Sequence, residues 1–167
     1  MKNGADSVSF RNACEADLSV MIGLLHDDKV GSARESKDNA SFAAYVAAFR
    51  KIDASPDNVI LLAERGTEIV GMLQLTLIPG LTHKGGLRAQ IEGVRVKRAC
   101  RGQGIGRQIF DQAIRAATNA GCHMVQLTTD RQRPDALRFY KSLGFVDSHS
   151  GMKLIISRTN TAEKGDQ

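Results

Sequence analysis

The sequence predicts an α/β fold with the element order β-α-α-β-β-β-α-β-α-β, on three observations. Three segments repeat apolar residues at helical spacing, a fourth is bounded by helix start and stop residues, and short apolar runs bounded by turn residues lie between them. No period of about 20 to 50 residues recurs, which excludes a repeat architecture. At 167 residues the chain has the length of one domain, on the usual scale of about 100 to 200 residues.

Residues 8–12 open as a short strand. From 15 to 26, Leu18, Met21, Ile22 and Leu25 mark one helical face. The polar stretch 27–38 reads as a loop, after which Phe42, Tyr45, Val46 and Phe49 repeat at i, i+3, i+4 and i+7 as a second amphipathic helix. The apolar runs 59–63 and 69–78 flank a polar turn containing Gly66 and form a hairpin. Residues 79–86 are a second loop, and Ile91, Val94 and Val96 supply the apolar character of a further strand over 89–96, the third of three consecutive strands.

After Gly104, Ile105, Ile109, Ala113 and Ala116 line one helical face that Phe110, Ile114 and Ala117 widen, with Gly121 at the end. Residues 124–128 are a strand. Residues 134–143 are a helix with Pro134 in its first turn and Gly144 beyond its end, and 145–157 are one or two closing strands. The domain is expected over 1–157, followed by a polar C-terminal tail over 158–167.

With 42% hydrophobic and 25% charged residues, the chain has the composition of a folded protein, neither disordered nor a coiled coil. The longest apolar stretches fall short of the roughly 20 residues a spanning helix needs, so no membrane partner is expected. No apolar segment follows Lys2, so a secretory signal is not expected and a cytoplasmic location is. Cys14, Cys100 and Cys122 are widely separated, which argues for buried thiols over a disulfide framework or zinc site, and no histidine or carboxylate spacing marks a metal site.

The formal charge is +5, and its distribution says more than its total. Residues 95–115 hold six basic residues (Arg95, Lys97, Arg98, Arg101, Arg107 and Arg115) against Asp111, a local +5, while the remainder balances. Such a segment suits a nucleic-acid backbone or one polyanionic ligand. There is no tryptophan, aromatics are 5%, and aromatic and basic residues do not interleave near the loop, so no nucleic-acid partner is expected.

Within this segment an apolar strand runs through a basic turn into glycines and then a helix. Glycines at such a turn let several backbone N–H groups converge at the positive end of the helix dipole, a phosphate-binding geometry. No G-x-x-x-x-G-K-[ST] string is present, and the dinucleotide fingerprint fails at Arg107, where it needs glycine. What remains is R-x-x-G-x-G, as Arg101-Gly102-Gln103-Gly104-Ile105-Gly106.

With this loop, the element order, and the downstream stretch from Ala136 through Phe139 and Tyr140 to Gly144-Phe145, the chain resembles the GNAT superfamily of N-acetyltransferases over nearly its whole length. The resemblance implies a mixed, mostly antiparallel central sheet flanked by helices, splayed between the strand ending at Val96 and the strand 124–128. It implies acetyl-CoA as cosubstrate, with the pyrophosphate on Arg101, Gly102, Gln103, Gly104, Ile105, Gly106 and Arg107. The pantetheine arm falls on the backbone of Val94, Arg95 and Val96. Tyr140 takes the family position of the general acid, and a homodimer is common in that family.

Acetyl transfer to an amine needs the amine neutral and the departing thiolate protonated or stabilised. Glu92 is the candidate base, because strand alternation sets 92, 94 and 96 on one face; His83 and His149 are alternatives. At 133, where many superfamily members carry asparagine, this chain has Arg133. The stretch from Thr128 through Arg138-Phe139-Tyr140 to His149 looks more like the aminoalkylphosphonate N-acetyltransferases, and an arginine there suits an anionic amine. The expected function is acetyl transfer to the primary amine of a small molecule by direct attack in a ternary complex. A protein N-acetyltransferase and a non-catalytic acyl-CoA-sensing module stay open.

Overall fold

A computed structural model describes residues 7–27 and 38–156. The expected tail over 158–167 and most of the expected loop over 27–38 lie outside the described residues. Five strands form one sheet in sequence order: β1 (Val8–Asn12), β2 (Asn58–Arg65), β3 (Glu68–Pro79), β4 (Leu87–Val96) and β5 (Met124–Leu127). The first four pair antiparallel and β5 runs parallel to β4, because a helix rather than a hairpin joins them. The mixed, mostly antiparallel sheet is as expected.

Helices α1 (Leu18–His26) and α2 (Asn39–Asp53) cover one face of the sheet. Helix α3 (Ile105–Asn119), which links β4 to β5, covers the other face together with α4 (Pro134–Ser142). On the first face Leu18, Met21, Leu24 and Phe49 bury against Leu62, Ile69 and Met72. On the second, Ile105, Ile109, Phe110, Ala113 and Ala117 bury against Leu61, Ala63, Leu73, Leu75 and Ile91. Ala116, expected on the buried stripe of α3, is exposed. Stepping by four from Ile109 through Ala113 reaches Ala117, and at 100° per residue Ala116 rotates toward solvent.

Residues 15–17, expected as the start of the first helix, form a separate 3₁₀ turn (Glu15–Asp17). The Asp17 carboxylate accepts from the Cys14 N–H at 2.8 Å and from both terminal nitrogens of Arg11 at 2.6 and 2.8 Å. Arg11 also donates to Glu64 Oε1 at 2.8 Å, tying β1, β2 and the entry to α1 together. At α2, Asp38 accepts from the Ser41 N–H at 2.8 Å as the N-cap. Of the three cysteines only Cys100 is fully buried; Cys122 is half-buried and Cys14 exposed, because Cys14 flanks the turn at Asp17 instead of facing the core.

The closing strands expected over 145–157 are a further correction. No strand forms over 145–156, and Val146, Met152, Leu154, Ile155 and Ile156 are exposed. Their apolar pattern suits a strand, but β5 spans four residues and offers a further strand only a short ladder.

Candidate active site

The turn between β4 and α3 places backbone N–H groups around a bend. Gly104 is the N-cap of α3 at φ +80°, and Gly102 stands at φ +76°. A Cβ on Gly104 would meet nothing within 4 Å, so the left-handed backbone, not space, requires glycine there. No side chain caps this helix start, which leaves the first N–H groups of a 15-residue helix facing the turn at the positive end of its dipole. The side chains beside it are committed to the protein. Arg101 Nε donates to the Val96 carbonyl at 3.0 Å, Gln103 to the Ala99 carbonyl at 2.9 Å, and Arg107 to the Ser142 carbonyl at 3.0 Å. Arg101 and Arg107 thus brace the turn against β4 and α4.

Strand β4 pairs with β5 only from Arg88 opposite Met124 to Ile91 opposite Leu127. The ladder and β5 both end there, so Glu92 to Val96 continue past β5 with that edge of β4 unpaired, an opening in the sheet beside the strand. In the same stretch the ladder with β3 is irregular: Glu92 pairs with Gln74 and Arg95 with Met72, so Leu73 faces both Gly93 and Val94. Gly93 takes φ +61° at this bulge.

The extra residue reverses the expected alternation. Val94 and Val96 face the α3 side and pack with its core, whereas Glu92 shares the opposite face with Gln74, Gln90 and Arg95. The expectation that 92, 94 and 96 share one face fails because simple alternation holds only in an unbulged strand. Glu92 is exposed at the edge of the opening.

Tyr140 is half-buried on α4, on the α3 side of the sheet that Val94 and Val96 also face. Its ring lies 5.6 Å from Phe110 and 5.6 Å from Phe139 between centroids, and 6.2 Å from Phe145. Four of the chain's eight phenylalanines and tyrosines gather here, and fully buried Phe110 touches the other three. Phe110 was read as core alone; its role in seating Tyr140 depends on two helices separated in sequence meeting in space. Burial holds the Tyr140 phenol above its ordinary pKa, and the positive charges of Arg133 and Arg95 oppose that shift. The geometry sets a protonated phenol on the α3 face of the sheet, a carboxylate on the opposite face, and a row of amides at the turn where β4 leads into α3.

The alternative bases lie elsewhere. His83 stacks on His123 at 4.8 Å, and the latter's Nδ1 lies 2.7 Å from the Leu87 carbonyl at the start of β4, away from the bulge. His149 Nδ1 lies 2.8 Å from the Ser148 hydroxyl on the exposed segment after α4. Among the described residues no group of three or more His, Cys, Asp or Glu side chains gathers to hold a metal ion, and no helix is long and apolar enough to cross a membrane.

Comparison with known proteins decides the family. The acetyltransferase (GNAT) family pattern matches residues 24–145. The chain belongs to the GNAT family. It is an acyltransferase of the N-acetyltransferase class. It is 33% identical over 113 residues to the aminoalkylphosphonate N-acetyltransferase of Salmonella typhimurium, covering 68% of this chain and 73% of that protein. A crystal structure of a transcriptional regulator from Bacillus halodurans C-125 is 50% identical, with a TM-score of 0.86 over 90% of this chain and 100% of the other. Glucosamine-6-phosphate N-acetyltransferase from Arabidopsis thaliana shares the fold at 18% identity, with a TM-score of 0.74 over 91% and 100% of the two chains.

Proposed function

We propose that this GNAT protein transfers the acetyl group of acetyl-CoA to the primary amine of a small molecule, with an anionic amine such as an aminoalkylphosphonate as acceptor. The observation that carries the reading is that Glu92 to Val96 run past the end of the β5 ladder toward the uncapped α3 N-terminus, with Tyr140 on the sheet face that Val94 and Val96 share. In this reading the pyrophosphate rests on the backbone amides of 101–107, and the pantetheine arm follows Val94 to Val96. The amine nitrogen attacks the thioester carbon, the C–S bond breaks, and the departing sulfur takes the Tyr140 proton. The amine proton leaves to Glu92, directly or through water. Holding both substrates together lowers the barrier by several kcal/mol with no covalent enzyme intermediate.

Similarity to the aminoalkylphosphonate N-acetyltransferase supports the acceptor class, and Arg133 at the start of α4 supplies a cation that acts on the Tyr140 phenol. Thermal shift with acetyl-CoA, CoA and ATP tests cosubstrate binding. Saturation a hundredfold above Kd stabilises by about 2.7 kcal/mol, and equal shifts with ATP overturn the assignment. Gly104→Val abolishes the acetyl-CoA shift. Thiol release across an amine panel tests the reaction, and binding without release with any amine marks an acyl-CoA sensor instead.

A further inference from the structure

The face of the sheet that carries Glu92 is divided in two. Under α1 and α2 it is apolar, with Leu62, Ile69 and Met72 buried. Along the strands, in the row that runs from Asn58 on β2 through Thr76 and Gln90 to Gln126 on β5, it becomes a half-buried polar strip. Asn58 Oδ1 accepts from Thr76 at 2.6 Å and from Gln74 at 3.2 Å, and Gln126 Nε2 donates to Gln90 Oε1 at 2.8 Å. The register puts Gln90 beside both Thr76 and Gln126. An amide has more donors and acceptors than one such bond uses, so the Gln126 oxygen and its second N–H can serve a ligand.

The bulge at Gly93 sets Arg95 as the next residue along this face after Glu92. Their β3 partners Gln74 and Met72 are two residues apart, which separates the two positions by about 7 Å, twice the strand rise. The Arg95 guanidinium lies against the Val94 carbonyl at 2.8 Å, which holds it at the edge of the opening. We propose that Arg95, assigned above only through its backbone, reads the acid group of the acceptor: a short zwitterionic amine spans Glu92 and Arg95, its ammonium at the carboxylate and its anion at the guanidinium, with the Gln90–Gln126 pair beyond Glu92 at the ammonium end. Arg133 at the start of α4 and Arg95 both act electrostatically on the Tyr140 phenol. A polyamine would set its second cation against Arg95, so this seat selects against it.

This inference rests on the acetyltransferase reading and deepens it. Thiol release is measured with 2-aminoethylphosphonate, with ethanolamine as an amine of matched length lacking the acid, and with spermidine, for the natural chain, Arg95→Met and Arg95→Lys. The natural chain prefers the phosphonate. Arg95→Met lowers the kcat/KM ratio of phosphonate to ethanolamine by about ten- to a hundredfold, the range for loss of one charged hydrogen-bond partner, and Arg95→Lys lowers it less. A natural chain without that preference, or an Arg95→Met that lowers both amines equally, overturns the proposal. If no amine releases thiol, the acetyltransferase reading fails by itself, and thermal shift with CoA plus 2-aminoethylphosphonate decides the seat. A shift present in the natural chain and lost in Arg95→Met supports it, and no shift overturns it.

Discussion

Glu92 and Val94 stand two residues apart on β4 and face opposite sides of the sheet, because Gly93 and Val94 together oppose Leu73 on β3. The bulge gives the two sides of the cleft different chemistry. Apolar Val94 and Val96 line the side of α3 and Tyr140, while Glu92 and Arg95 stand on the other face, opposite Gln74 and Met72. In the proposed reaction the thioester and the amine therefore approach from opposite faces and meet where β4 runs past β5.

Gly93 holds this arrangement through its left-handed backbone alone, since a Cβ there would meet nothing within 4 Å. Gly93→Val costs about 1–2 kcal/mol of stability from the strained φ. Activity falls further than that loss of folded protein explains, as the strand straightens and Glu92 or Val94 changes face. Urea unfolding paired with thiol-release kinetics reads both effects, and a variant with natural kcat/KM would show that the bulge does not matter to the site.

Tyr140→Phe keeps the ring against Phe110, Phe139 and Phe145 and removes the hydroxyl alone. With the general-acid role, kcat falls by about 10²- to 10⁴-fold while the acetyl-CoA thermal shift is retained. The raised pKa of this phenol keeps it protonated through neutral pH, so the natural enzyme holds its kcat into the alkaline range. Full activity in the variant sends the thiolate to another proton donor.

Glu92→Gln preserves size and removes the base. The acidic limb of the kcat/KM profile disappears or moves, with acetyl-CoA binding intact. An unchanged profile makes Glu92 an exposed carboxylate of no catalytic consequence and returns the search to other residues on the polar face.

Asp17 anchors the other end of the fold, and the two Arg11 hydrogen bonds hold its carboxyl well below the usual carboxylate range. A depressed folded-state pKa stabilises above the unfolded value of about 3.9, and that contribution fades as pH falls toward the folded one. Arg11 is partly exposed, so water screens the pair, and Asp17→Asn costs about 1–3 kcal/mol at pH 7. Thermal melts from pH 7 down to pH 3 show the gap between natural and variant proteins narrowing below about pH 4. A gap constant with pH assigns the loss to packing.

What the sequence determined by itself was whatever depends on near neighbours in the chain. Helical periodicity over 105–117, the glycine turn at 102–106 and the Phe139-Tyr140 motif are local patterns, and the helix dipole, the row of amides and the position of Tyr140 on its helix follow from them. The tertiary structure decided what depends on pairing between distant segments. Which face Glu92 occupies is set by its register against β3, where one inserted residue reverses every side chain before it, and no alternation pattern within β4 alone records that insertion. Phe110 seats Tyr140 only because α3 and α4 pack on the same side of the sheet, and the apolar run after α4 stays unpaired because a strand needs a ladder to join, which propensity cannot supply.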